Sequence, residues 1–285
     1  ISATGGIDLN DTVSITADVE LDATTIDVES GISDSGGTFT LILDGSTSVD
    51  VAGTVSTENL TTETAATIGT VDIAENLNVS GGQLTTDVGG ITVGGTATTS
   101  AAVSSAGIFK VTGDASLGGN VTAATTIDLD DVNGVVITAD VELDAGTIDV
   151  ASGASGAFTL TLDGMTSVDV VGTVTTQNLT TETAATVGTV TIAGNLNVSG
   201  GQLTTDVGGI TVSGNAELGS SVVSASGVTL GDATTDTLAI SGGLVTISTA
   251  LNSQVEINSA TTLSSGLTIS TGAGVIRLNG TVNGN

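Results

Sequence analysis

Carboxylates are the side chains with most chemistry to offer in this sequence. In Asp18-Val19-Glu20-Leu21-Asp22 three acids alternate with two apolar residues, so in an extended chain the acids share one face and the apolar pair the other. The next segment adds Asp27 and Glu29, and the pattern returns as Asp140, Glu142, Asp144 and Asp149. On neighbouring strands such acids repel one another unless a hard cation bridges them, and calcium, an oxygen-seeking ion, suits that role. Two readings stay open: calcium held specifically by Asp18, Glu20, Asp22, Asp140, Glu142 and Asp144, or a solvated acidic face neutralised by ambient salt. Neither IDLNDT from Ile7 nor IDLDDVNG from Ile127 has EF-hand spacing, and no nine-residue calcium-binding repeat is present.

Other chemistries are poorly supplied. Without His or Cys there is no imidazole acid-base pair and no thiolate nucleophile, and a Ser-Lys arrangement has only Lys110 to draw on. Asp130 and Asp131 are the nearest approach to a paired-carboxylate hydrolase. With no Trp or Tyr to stack a sugar, they read instead as solvated turn acids. The expectation is that the chain is not an enzyme and requires no cofactor, calcium aside. Lys110 and Arg277 face 31 carboxylates, a formal charge of −29, which excludes electrostatic binding to nucleic acid and makes cations the natural partners. No apolar run approaches the ~18 residues of a membrane helix, so membrane insertion is not expected. Seven Asn-x-Ser/Thr sequons occur; those at Asn59 and Asn178, and at Asn78 and Asn197, recur in equivalent positions and are candidate glycosylation sites. Thr-x-Thr triplets at Thr38, Thr159, Thr173 and Thr189 are too irregularly spaced for an ice-binding ladder.

The elements that must position these residues are short strands. Residues 59–97, NLTTETAATIGTVDIAENLNVSGGQLTTDVGGITVGGTA, return at 178–216 with few changes, and residues 15–28 return at 137–150. Apolar pairs such as Leu21 and Val19, Ile26 and Val28, Leu77 and Val79 alternate at period two in runs of about three to five residues, broken by Gly, Asn, Asp or Ser-Gly turns. Runs that short suit the sides of a triangular coil of about 20 residues stacked on its neighbours. The expected fold is all-β, a parallel right-handed β-solenoid with those pairs pointing inward, divided into a first unit at 1–123, a second at 124–219 and a diverged continuation at 220–285. The competing architecture is a tandem of immunoglobulin-like sandwiches, for which three Phe are scant core material.

NLNVSGGQL from Asn76 and Asn195, and TGAGVIRLNGTVNGN from Thr271, resemble the coils of filamentous-haemagglutinin-type β-helix proteins and other giant secreted repeat adhesins; LGDATTDTLAISGG from Leu230 is similar to phrases in phage fibres. The resemblance implies an extracellular or cell-surface fibre, structural in role, with an adhesin module binding a host or environmental ligand as the alternative. A binding site concentrates exposed aromatics or arginines, which are almost lacking here, and that favours structure; the loop at 32–37 is where a ligand would be sought. Both ends of the sequence alternate like ordinary coils, so the chain is expected to associate with itself end to end or to belong to a longer solenoid of the same kind.

Overall fold

The computed structural model describes all residues except 35–38, 64, 81, 132, 182–183, 200, 251 and 285; parts of the 32–37 loop and Thr38 therefore lie outside the described residues. Among the described residues all regular structure is β. The chain forms two compact units, Ile1–Gly146 and Thr147–Asn285, each built of stacked parallel coils: a β-solenoid.

The coil is plainest at Leu84–Thr86, Ile91–Val93 and Ala97–Thr99, three strands that form its three sides. On the next coil Val103 lies beside Leu84, Phe109 beside Ile91 and Ala115 beside Ala97, all in parallel register. In each triplet the outer two residues are buried and the middle one is not, the consequence of side chains alternating across a strand. Val, Ile and Leu therefore stack above one another into a narrow core, and Leu21, Ile26, Val28, Leu77 and Val79 point inward with their counterparts Leu143, Ile148, Val150, Leu196 and Val198. Val19, also expected inside, is only half-buried because it lines the open end of the first coils.

Some strands are much longer than the sequence pattern implies. Thr40–Thr62 pairs with Ala66–Val79 on all three sides of a coil, with register breaks between Val51 and Thr54 and between Thr57 and Asn59. Pairing carries on round the corner because each break inserts only a residue or so, a bulge that bends the strand without ending it. Elsewhere Gly makes the corner: a Cβ on Gly89 would lie 2.1 Å from the Thr70 hydroxyl oxygen, and one on the matching Gly208 1.9 Å from that of Thr189. Neighbouring coils approach too closely there for any side chain.

Candidate functional site: the outward columns

Outward residues of successive coils form columns, about 4.8 Å apart from one coil to the next. In Ile1–Gly146 one column runs Asp8, Asp27, Asp50, all exposed and in register, before reaching Thr67. A second sets Asp22 beside Asp44. The column was hidden in the sequence because Asp8 and Asp27, like Asp27 and Asp50, are joined only by the register of distant strands. Of the 31 carboxylates, 22 lie in residues 1–146 and nine in residues 147–285.

Within each expected set of calcium ligands the acids face outward, but they are spread along the chain. Asp18 accepts a hydrogen bond from the Thr40 amide at 2.9 Å, Asp22 accepts one from the Ser2 hydroxyl at 2.9 Å, and Glu20 is exposed beside Ile42. In the second set Asn120 serves Glu142 twice, its Oδ1 accepting from the Glu142 amide at 3.0 Å and its Nδ2 donating to Oε2 at 3.3 Å. Asp140 is exposed and Asp144 half-buried. Among the described residues no three carboxylates converge as a metal cage would require. What the arrangement offers a cation is pairs of carboxylates on adjacent coils, with solvent supplying the remaining oxygens.

Lys110 is the exception to this acidic exterior. It lies in register with Asp128, and its Nζ donates to Asp128 Oδ2 at 2.5 Å and to Asp130 Oδ2 at 2.6 Å. The hydrogen bonds it donates to Asp128 and then Asp130 hold the amine above its usual value, and the bond from Lys110 holds Asp130 below the ordinary carboxylate range. This pairing keeps both groups charged, which opposes proton shuttling by Asp130. Asp131, expected to be a solvated turn acid, is instead buried at 1% exposure. Its Oδ2 accepts from the Ala115 amide at 2.8 Å and its Oδ1 from the Asn133 amide at 2.7 Å, so it satisfies backbone donors at a corner.

Asparagines form ladders that sequence reading missed. Asn76 Nδ2 donates to Asn59 Oδ1 at 2.9 Å, and Asn76 Oδ1 accepts from the Thr96 amide. In the other unit Asn178 Oδ1 accepts from the Asn195 amide, Asn195 Oδ1 from the Asn215 amide, and Asn215 Oδ1 from the Thr237 amide. The recurrence of NL at Asn59, Asn76, Asn178 and Asn195 was the available signal. These bonds bear on the sequons: Asn178 Nδ2, the atom glycosylation would modify, donates to Thr159 Oγ1 at 3.1 Å, whereas Asn78 is exposed and Asn197 half-buried. The chain matches no protein-family model, no curated protein and no solved structure.

Proposed function

We propose that this chain is an extracellular structural protein, a subunit or segment of a self-associating surface fibre or sheath. One observation carries the reading: among the described residues the chain is stacked parallel coils whose outward columns hold acids, threonines and asparagines in ladders, with no base-lined or aromatic cleft. Lys and Pro, which oppose strand-to-strand association, are almost absent from the sequence. The resemblance to filamentous-haemagglutinin-type repeats supports the same role. Cations are partners in it, since subunits of charge −29 repel until they are screened. Calcium is expected to bridge carboxylate pairs such as Asp27 and Asp50. An adhesin role is the second reading, favoured by the exposed Phe158, Met165 and Val171 on Gly153–Thr181. Light scattering and negative-stain microscopy of the purified chain across ionic strength test the fibre: end-to-end polymers that lengthen with salt are expected, and a monodisperse monomer at every salt concentration overturns it.

A further inference from the structure

We infer that the second unit carries a groove for a neutral saccharide on its outward face, centred on Glu217 and flanked by Asn195, Asn197 and Asn215. The groove has a volume of about 300 Å³, at the lower end of the roughly 300–1,000 Å³ of small-ligand sites. Two outward columns build it. In one, Asn197 lies in register with Glu217, and Glu217 with Ala239. The other, two residues back along the same strands, is the ladder Asn195, Asn215, Thr237. Ala239, with its single methyl, leaves space that a longer side chain would fill.

Hydrogen bonding within the ladder decides what faces that space. Asn195 Oδ1 accepts from the Asn215 amide at 3.0 Å, and Asn215 Oδ1 accepts from the Thr237 amide at 2.8 Å and the Thr237 hydroxyl at 3.0 Å. Both oxygens are thereby committed, and both Nδ2 groups are left as donors without a partner among the described residues. The two asparagines are exposed, as is Glu217, whose carboxylate only accepts. Asn197 Oδ1 is shut off from water with no hydrogen-bond partner, an arrangement that costs stability. The residue itself is half-buried, and half a turn of its amide brings that oxygen to the groove for a ligand donor.

This mixture of groups selects the ligand. A cation finds one carboxylate hemmed in by amide donors, where a hard ion such as calcium takes about six to eight oxygens. An anion meets the charge of Glu217. A hydroxyl both donates and accepts, so neighbouring hydroxyls of a sugar bond the carboxylate and an asparagine Nδ2 together. No aromatic residue lines the groove, so the expected affinity is weak, with Kd on the order of 1 mM. The first unit shows that the groove is an addition to the fold. There Asn76 and Asn78 stand as Asn195 and Asn197 do, but Thr96, Thr98 and Ser116 occupy the places of Asn215, Glu217 and Ala239. Three differences on one face supply the carboxylate, the second ladder amide and the space. The groove lies within one copy and does not depend on assembly.

Titration of the full chain, expressed without glycosylation, with maltotriose, cellotriose and chitotriose tests the groove, read by the side-chain amide NMR signals of Asn195 and Asn215. At least one sugar is expected to shift both signals saturably. Glu217→Thr, which imports the residue of the first unit, should weaken that sugar ~tenfold. Thr96→Asn, Thr98→Glu and Ser116→Ala together should make the Asn76 signal respond to it as well, with circular dichroism melts showing that each variant folds. No shift with any of the three sugars, binding unchanged in Glu217→Thr, or a silent Asn76 in the folded triple variant overturns the groove. Calcium chloride shifting the same signals at lower concentration makes it a cation site and overturns it equally.

Discussion

The duplicated stretches 59–97 and 178–216 place the same fold in two chemical settings. They differ at five positions: Ile68 and Val187, Asp72 and Thr191, Glu75 and Gly194, Gly94 and Ser213, Thr96 and Asn215. Only the first lies in the core, and it exchanges one branched aliphatic for another. Outside, the change is one of kind. The column Ser56, Asp72, Thr92, Lys110, Asp128 in the first unit corresponds to Thr175, Thr191, Thr211, Thr229, Glu256 in the second. The inward row is held by packing against the coils on either side, whereas the outward row meets mainly water and the residue one coil away. Divergence has gone where packing does not resist it, and it has made one unit strongly acidic and left the other mostly hydroxylated.

Core variants should strain this comparison most. Phe109 is buried where the second unit has Val228, so it fills more volume from a single position. Phe109→Ala is expected to cost about 3–5 kcal/mol in denaturant unfolding, and Val228→Ala clearly less. Equal losses would mean that the two cores do not differ in the way their residues suggest.

Buried hydroxyls come next. Thr62 and its counterpart Thr181 are fully buried with hydroxyls that have no hydrogen-bond partner, as is Thr99, where the second unit has Leu218. Thr99→Val, Thr62→Val and Thr181→Val should each stabilise by about 1 kcal/mol, by removing an unpaired polar group from the core. Destabilisation in the same unfolding assay would show that these hydroxyls find partners.

The acid columns predict a smaller effect confined to the first unit. In chelator, Asp27→Asn should stabilise by about 0.5 kcal/mol by relieving repulsion from Asp8 and Asp50. Calcium should raise the parent melting midpoint roughly 2 °C above sodium chloride of matched ionic strength, and this increment should be lost in Asp27→Asn. Equal midpoints in calcium and matched sodium would leave only screening.

The smallest effect belongs to the partly exposed Lys110 pair, on the order of 0.5 kcal/mol with solvent screening. Asp130 has a lowered folded pKa, so its contribution is present above the unfolded value of 3.8 and is lost as pH falls through the folded one. Lys110 is raised, so its contribution is present below 10.5 and is lost as pH climbs through the folded value. The stability gap between parent and Lys110→Met should therefore be widest between those limits and narrow beyond both; a gap independent of pH would mean that Lys110 acts through packing alone.

The sequence by itself determined the inward rows of Val, Ile and Leu, with Val19 at the open end of the first coils the exception. Val, Ile and Leu at period two around Gly and Asn turns leave a backbone little choice but short strands, and their shortness pointed to coils rather than sandwiches. It also fixed the charge. Only the tertiary structure decided which outward residues become neighbours, because the step from coil to coil is uneven: Val55 meets Val71, Ile91 meets Phe109, and Val228 meets Val255. Corner length sets that step, and a slip of one residue in a parallel ladder would turn every inward side chain outward, so register is firmly held in the fold yet invisible along the chain. The aspartate column, the Lys110 pair, the asparagine ladders and the burial of Asp131 all depend on that register.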